Sequence, residues 1–372
     1  MSRFVRLCET PSPTGSERAI ADLVRSELES FGLEVLEDEA ARSTMAGAGN
    51  LLTRIAGRSR EDGSDPGYIM FCAHLDTVPH DGPIEVVLDD QGVYRSAGDT
   101  ILGADNKAAV AVLLEMAARA VQEPPVIGLE LLFTVAEEKG LLGAAAFDQS
   151  LLSSRTGFVL DHATDIGEVI TAAPTQIGIT AEFKGVEAHS GLVPEQGRSA
   201  IVAAAQAISE MNLGRLDKET TANIGVITGG TQGNVIPGVC RLAGEARSLD
   251  PERVTAVIAD LTDAMVWSAS ESGCEVDITT RKHFTGYRID EGDSWALSLA
   301  ERALKSEGFS PERVATGGGS DASVFQERGM DCLLLANGTY ANHTAQETVP
   351  RENLPAMLAV CESIVALAGD GA

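Results

Sequence analysis

The sequence predicts an α/β protein in which helices cover both faces of a mixed, mostly parallel sheet, with a smaller ferredoxin-like α+β domain inserted into it. Two observations predict this fold. Short, nearly continuous apolar runs alternate with a helix, as in strands that are buried on both faces of a parallel sheet. The middle of the chain instead has the order β-α-β-β-α-β, which is the order of a ferredoxin-like unit. The predicted domains are residues 1–173 with 285–372, and residues 174–284.

The first predicted element is a helix near the N-terminus. Thr14 and Glu17 have the spacing of a capping box, and apolar residues then recur at helical spacing up to Gly32. A second helix is predicted over Asn106–Ala120, before Pro124. Four apolar runs predict the parallel strands: Tyr68–Ala73, Val126–Val135, Gly157–Leu160 and Cys332–Ala336.

The inserted domain is predicted from the same patterns of apolar residues. Its elements in chain order are a strand, a helix, two strands, a helix and a strand: Gln176–Phe183, Ser199–Met211, Ala222–Thr228, Val239–Ser248, Glu252–Ser272 and Glu275–Thr280. Because this series interrupts the α/β pattern, we expect the chain to return to the first domain after it.

Composition excludes several classes of partner. The 28 Lys and Arg against 55 Asp and Glu give a net charge of −27, which repels nucleic acid and anionic membrane surfaces. No apolar stretch resembles a signal peptide or approaches the roughly 18 residues of a membrane span. The six cysteines are scattered, without a CxxC pair, as in reduced cytosolic proteins. A cytoplasmic enzyme is therefore expected.

Chemically active side chains follow the predicted parallel strands or begin the helix between two of them. They are His74, Asp76, Asp105, Glu137, Glu138, Asp161 and, after a Gly-containing loop, His343. The carboxyl ends of strands in an open α/β sheet form the usual binding crevice. Several carboxylates in one crevice are costly without cations, and mixed imidazole and carboxylate ligands suit two zinc ions, with cobalt or manganese as substitutes.

Two of these residues have more specific expected roles. Asp105 could bridge the two ions. Asp76 lies two residues after His74, so both side chains face the same side of an extended strand. There the carboxylate of Asp76 could accept the second N–H of the imidazole and fix its orientation.

Four motifs together resemble those of the dinuclear zinc peptidases and amidohydrolases, over nearly the whole chain. They are HLDTVP at 74–79, GADNK at 103–107, the pair Glu137-Glu138 and GGGSD at 317–321. That family includes peptidase T, glutamate carboxypeptidase, aminoacylase, and the acetylornithine and succinyl-diaminopimelate deacylases. GEARSLD at 244–250, and Asp161 where relatives often have Glu, resemble the peptidase T-like branch most.

The resemblance implies a set of metal ligands and a catalytic base. One ion would be held by His74, Asp105 and Asp161, and the second by Asp105, Glu138 and His343, with a cis peptide between Asp105 and Asn106. Glu137 would be the general base. The chemistry agrees, because a base must reach the activated water without being a metal ligand itself, as a neighbour of a ligand can.

The resemblance also implies roles for the inserted domain as a lid and dimerisation domain. His189 would reach the active site of a neighbouring subunit and stabilise the oxyanion. Asn234 and Arg247 would hold the carboxylate of the substrate. The turn at Gly317–Gly319, with Gly318, Gly319 and Ser320, would donate further hydrogen bonds to substrate. No Lys follows this turn as in a P-loop.

The expected function is that of a homodimeric two-zinc hydrolase that cleaves an amide bond in a small peptide or acylated amino acid. A peptidase T-like aminopeptidase is the first interpretation. An N-acyl-amino-acid deacylase or a carboxypeptidase is the alternative within the family. A catalytically silent relative that binds peptides or metal is the alternative from another class. A phosphate-binding regulator depends on the Gly-rich turn alone, and the net charge disfavours it.

Overall fold

The structure, a computed structural model, divides into two compact units. The residues that it describes are 2–58, 67–290 and 292–371. The first unit consists of Met1–Thr171, Ile289–Ala315 and Ser320–Ala372. The second unit consists of Ala172–Arg288 and Thr316–Gly319.

The α-helices are described here in chain order. They are α1 Ser2–Cys8, α2 Arg18–Ser30, α3 Ala41–Thr44, α4 Ala104–Gln122, α5 Leu142–Ala146, α6 Ala200–Glu210, α7 Pro251–Glu271, α8 Trp295–Ser306, α9 Asp321–Glu327 and α10 Asn353–Gly371. Inside α4, Asp105 and Asn106 have non-helical backbone angles and the peptide bond between them is cis, as the family resemblance implies.

The strands, in chain order, are β1 Val35–Glu37, β2 Leu51–Ile55, β3 Tyr68–His74, β4 Val86–Leu88, β5 Val93–Ser96, β6 Gly128–Thr134, β7 Thr156–His162, β8 Glu168–Ala173, β9 Thr175–Lys184, β10 Ala188–His189, β11 Gly214–Arg215, β12 Thr220–Gly229, β13 Val235–Ile236, β14 Val239–Ser248, β15 Glu275–Phe284, β16 Tyr287–Arg288, β17 Glu312–Ala315, β18 Asp331–Ala336 and β19 Thr348–Pro350.

The first unit is built on a mixed sheet with the strand order β1-β2-β6-β3-β7-β18-β8. The four predicted apolar strands are its centre, β6-β3-β7-β18, and they pair in parallel. The flanking strands β2 and β8 pair antiparallel to this centre. Every residue of β6 is buried, because helices cover both faces of the parallel part of the sheet. The predicted α/β class is confirmed.

The start of α2 differs from the predicted capping box. The Thr14 hydroxyl donates to Asp76 Oδ2 at 2.7 Å instead of capping the helix. The buried Glu17 carboxylate accepts from the backbone N–H groups of Gly15 and Gly47. The local pattern fails here because a charged acceptor from another part of the chain competes for the Thr14 hydroxyl.

The second unit has the predicted ferredoxin-like order. Strands β11-β12-β14-β9-β15 form an antiparallel sheet. Helices α6 and α7 pack against each other and against the central strands β9 and β14. The core between helices and sheet contains mostly small and medium apolar side chains, among them Ala203, Ala207, Phe183, Leu242 and Leu261.

One helix in the described part of the chain, α10, is long and apolar enough to cross a membrane by length and composition. Its window Asn353–Asp370 has a mean hydropathy of 1.3, although it includes Glu362 and Asp370. The helix packs against α4 and α8. Residues from Met357 to Ala368 on its inner face belong to the core of the first unit. In this structure α10 is a helix of the core.

Candidate metal centre

The ends of β3 and β7 and the start of α4 bring His74, Asp105 and Asp161 together. His74 Nε2 lies 3.0 Å from Asp105 Oδ1 and 3.4 Å from Asp161 Oδ1. On the other side of the ring, Nδ1 lies 3.0 Å from the backbone oxygen of Asp76. A carbonyl oxygen only accepts hydrogen bonds, so Nδ1 carries a proton and Nε2 is the nitrogen that can serve as a ligand.

A second cluster is formed by His343, Glu138 and the same Asp105. His343 Nε2 lies 3.0 Å from Glu138 Oε1 and 3.2 Å from Asp105 Oδ2. The two oxygens of Asp105 therefore face two different imidazoles. This is the arrangement that a carboxylate bridging two ions requires.

The side chains fit divalent cations in chemistry as well as in position. Ligand atoms of His74, Glu137 and Asp161, and those of His74, Asp105 and Glu138, lie within 4.8 Å of one another. Imidazole nitrogens with carboxylate oxygens are donors that zinc accepts.

The electrostatics of the site also favour cations. Hydrogen bonds to the Asp105 and Glu138 carboxylates raise the pKa of His343 to about 10. Burial lowers the pKa of His74, but the Asp161 and Asp105 carboxylates outweigh burial and raise it well above its usual value. Burial raises the pKa of Asp161 to about 7. The strongly negative potential that holds protons on the imidazoles would equally attract metal ions.

Glu137 lies directly beside the ligand cluster but has a different environment. It is almost buried, and within the described residues no group donates a hydrogen bond to its carboxylate. Burial, followed by the charge of Asp161, raises the pKa of Glu137 well above its usual value. A carboxylate with a raised pKa and no fixed partner is suited to accepting a proton.

The Asp76 carboxylate has different partners from those predicted. It lies 3.6 Å from His74 Nδ1, farther than the backbone oxygen of Asp76 itself. Its Oδ1 accepts from the Glu137 N–H at 3.0 Å and its Oδ2 from the Glu138 N–H at 3.2 Å. Ala136, which directly precedes Glu137, has a positive φ of 51°. Asp76 thus fixes the backbone that carries the two glutamates, and orients His74 mainly through its carbonyl.

Two buried residues with ionisable side chains, Lys107 and Asp321, lie beside the centre, although the sequence predicts no role in the site for either of them. Lys107 is buried and donates to Ser12 Oγ at 2.6 Å. A salt bridge is the default expectation for Lys107, but no carboxylate oxygen of the described residues lies within 4.0 Å of its ammonium nitrogen. Asp321 is 1% exposed and accepts a 2.5 Å hydrogen bond from Thr134 Oγ1. Burial raises the pKa of Asp321 to about 6. The only sequence signal for Asp321 is its place at the end of the GGGSD motif.

The chain is similar to several known proteins in sequence and in fold. A model of the peptidase dimerisation domain matches residues 172–271, and a model of peptidase family M28 matches residues 50–190. The solved structure of aminopeptidase PepT from Bacillus cereus is 36% identical, with a TM-score of 0.85, over 99% of this chain and 97% of that one. A tripeptidase from Staphylococcus aureus is 33% identical, with a TM-score of 0.91 and the same coverage. The protein YqjE of Bacillus subtilis is 35% identical over 100% of this chain and 98% of its own length. The chain belongs to the dinuclear metallopeptidase and amidohydrolase family.

In this metallopeptidase the second unit carries most of the remaining predicted residues. Strand β10, which ends at His189, pairs with β13, and the N–H of Ser190 donates to the backbone oxygen of Asn234 at 3.1 Å. His189 and Asn234 are therefore neighbours. The N–H of Gly191 donates to His189 Nδ1 at 3.2 Å, so the exposed ring carries its proton on Nε2.

Arg247 and the Gly-rich turn also meet within the second unit. The guanidinium of Arg247 binds both carboxylate oxygens of Glu245, at 2.8 and 3.2 Å. It also donates to the backbone oxygen of Gly317 at 3.0 Å. Arg247, which the resemblance implies as a ligand of the substrate carboxylate, is therefore already paired within the chain. A Cβ on Gly319 would lie 2.4 Å from the Phe284 ring, so packing by itself requires glycine there. A Cβ on Gly318 would lie 3.8 Å from the Thr316 hydroxyl oxygen, which accepts from the N–H of Gly318 at 3.1 Å.

Ser320 differs from its predicted role as a donor to substrate. Its side chain is 1% exposed, and its hydroxyl oxygen accepts from the N–H of Ala322 as the N-cap of α9. The sequence SDAS starts a helix, and a Ser at that position caps it. The hydroxyl oxygen is therefore an acceptor within the chain, and it is the burial of Ser320 that separates its O–H group from solvent.

Proposed function

We propose that this metallopeptidase is an aminopeptidase that releases the N-terminal residue of small peptides, tripeptides in particular, with two zinc ions at the centre described above. The observation that carries the proposal is the position of Asp105, with one carboxylate oxygen toward each imidazole. The similarity to an aminopeptidase and to a tripeptidase extends over nearly the full length of both chains and supports the substrate class.

The proposed ligands follow the two clusters. His74, Asp105 and Asp161 would hold one ion, and Asp105, Glu138 and His343 the other. Bound divalent ions would lower the pKa of a water molecule toward about 7 and polarise the carbonyl group of the substrate. Cobalt or manganese would be able to replace zinc, because the donor set has no thiolate to exclude them.

Glu137 is the proposed general base, since its carboxylate has no fixed hydrogen-bond donor. It would take a proton from the attacking water. It would then donate this proton to the amine nitrogen as the C–N bond breaks. Asp76 supports both glutamates by holding their backbone N–H groups.

The second unit is proposed to act as the lid, with residues 174–284 as the lid domain and residues 1–173 and 285–372 as the catalytic domain. His189 would donate its Nε2 proton to the oxyanion, in the active site of a neighbouring subunit. Asn234 would bind the substrate carboxylate together with Arg247, which would have to share its donors with Glu245. The backbone N–H groups of Gly318 and Gly319 would be further donors, and that of Gly318 would have to leave or share the Thr316 hydroxyl oxygen, to which it donates at 3.1 Å.

A homodimer through the second unit is part of the proposal. β12 pairs with β14 along its inner edge, and with β11 along its outer edge only at Thr221 and Ala222. In the described residues, no strand pairs with the rest of this outer edge. Val226 and Ile227 on this edge are about half exposed, as is Val202 on α6. An open strand edge with exposed apolar residues is a surface for pairing with a second copy.

A cytoplasmic location is also proposed. All six cysteines are free, and five of them are buried. Unpaired cysteines are typical of proteins in reducing compartments.

The test is a substrate panel with the purified protein loaded with zinc, cobalt or manganese. It compares a free tripeptide, the same tripeptide acetylated at its N-terminus, and an N-acetyl amino acid, with amino-acid release as the measurement. We expect release from the free tripeptide alone, abolished by a chelator and restored by metal. Preference for the acetyl amino acid would identify a deacylase. Release of the C-terminal residue from the blocked tripeptide would identify a carboxypeptidase. Metal binding without turnover would identify a silent relative.

A further inference from the structure

Glu347 lies in the loop that carries His343, and the proposed function gives it no role. Its side chain is 2% exposed. The carboxylate accepts three backbone hydrogen bonds of 2.8 Å, at Oε2 from Leu102 and Gly103 and at Oε1 from Asp105. One buried side chain therefore holds the segment that leads into α4, including the peptide nitrogen of the residue between the two imidazoles.

The backbone of this segment is shaped to receive an anion. Gly103 has a φ of 71° and a ψ of 21°, a left-handed conformation that glycine adopts at little cost. The N–H groups of Leu102, Gly103 and Asp105 consequently converge on one carboxylate. Converging backbone N–H groups in such turns form concave anion sites. Here the anion is supplied by the chain itself.

Hydrogen bonds also fix the loop that carries His343. Tyr340 and Thr348 close the His343 loop at its base, each accepting a 3.0 Å hydrogen bond from the N–H group of the other. Glu347 is the last residue inside this base, directly before β19, which pairs with β5. Its three hydrogen bonds therefore join the loop of His343 to the loop of Asp105.

We propose that Glu347 is a positioning residue for the metal centre. By fixing these two loops to each other, it keeps the Asp105 carboxylate between His74 and His343 and His343 within reach of Glu138. The inference rests on the proposed function for the presence of metal. It is independent of the substrate, because Glu347 acts through the backbone of Asp105.

The experiment compares Glu347→Gln with Glu130→Gln. A glutamine presents one carbonyl oxygen, so at least one of the three N–H groups would face an amide NH₂ group. Glu130 is also fully buried and accepts from the N–H groups of Ser153 and Ser154, but none of its partners is a proposed ligand. Zinc affinities of the metal-free proteins are measured by competition with a chromophoric chelator, and the visible spectra of the cobalt forms are recorded.

We expect Glu347→Gln to weaken at least one of the two zinc affinities about 10–100-fold, as is usual when a residue that orients ligands is changed. Its cobalt spectrum should change too, while Glu130→Gln keeps wild-type affinity. Equal loss in both variants, or wild-type affinities in Glu347→Gln, would overturn the positioning role. If Glu347→Gln does not fold, the experiment uses Glu347→Asp, whose carboxylate is one methylene too short to reach all three N–H groups. Wild-type zinc affinities in Glu347→Asp would also overturn the positioning role. A wild-type protein that binds no zinc would instead overturn the proposed function.

Discussion

The arrangement of Asp105 between two imidazoles makes a prediction about metal stoichiometry. His343→Ala removes a ligand only from the cluster with Glu138, and leaves His74, Asp161 and Asp105 Oδ1 in place. Asp105→Ala removes both carboxylate oxygens of the one residue that the two clusters share. Each cluster has three proposed protein ligands, the usual number for a catalytic zinc site, so a cluster reduced to two should not retain its ion against a chelator.

The expected stoichiometry is therefore about two zinc ions for the wild type, about one for His343→Ala and about none for Asp105→Ala. It is measured by elemental analysis after dialysis against a weak chelator, with circular dichroism to check the fold. His162→Ala is the matched control, because His162 follows Asp161 directly but its ring faces Glu168, at 3.9 Å. This control should keep two ions. One tightly held ion in Asp105→Ala, or the loss of both in His343→Ala, would refute the bridging arrangement.

Three further predictions test the base, the support of the glutamates and a surface ion pair. Glu137→Gln should lower kcat about 10²–10⁴-fold in steady-state kinetics with unchanged zinc content, since it removes the proton acceptor and no ligand. Asp76→Ala should lower the free energy of unfolding by about 2–6 kcal/mol in urea titrations, because the N–H groups of Glu137, which is buried, and Glu138, which is partly buried, lose their acceptor at about 1–3 kcal/mol each. Hydrogen bonds from Arg18 lower the pKa of Glu37 despite partial burial. Glu37→Gln should therefore cost about 1 kcal/mol or less at neutral pH, and this cost should vanish as the pH falls through the folded-state pKa.

Each of these predictions has an outcome that contradicts it. Full turnover by Glu137→Gln would assign the base elsewhere. An Asp76→Ala variant as stable as the wild type would mean that water replaces the lost acceptor. The sign of the Glu37 effect follows from its lowered pKa, because the ion pair stabilises the fold only while the carboxylate is ionised. A cost for Glu37→Gln that grew in acid would contradict it.

Most of the fold could be predicted because its strands carry a strong local signal. A strand such as β6 is covered on both faces, so most of its residues are apolar, and such a run can be recognised without knowing its partners. The polar residues after those runs then meet for a topological reason. Parallel neighbours end at the same edge of the sheet, which brings His74 to Asp161.

Contacts that depend on competition between distant groups could not be predicted in this way. The spacing of Thr14 and Glu17 fits a capping box, but the Thr14 hydroxyl binds Asp76 instead. Ser320 has the chemistry of a substrate donor, but it is buried in the folded chain, where its hydroxyl oxygen caps the helix that starts after it. In both cases the residue type has several possible partners, and only proximity in the folded chain selects one.

The sequence by itself determined the class of fold and the place of the proposed metal-binding side chains at strand ends, because apolar periodicity and residue chemistry are local properties. The tertiary structure decided how those side chains are held. Glu347 binds the backbone of a residue 242 positions away along the chain, and nothing near it in the sequence indicates that contact. Hydrogen-bond partners of a buried carboxylate are set by which donors the fold leaves without another acceptor, and that is a property of the whole packed chain.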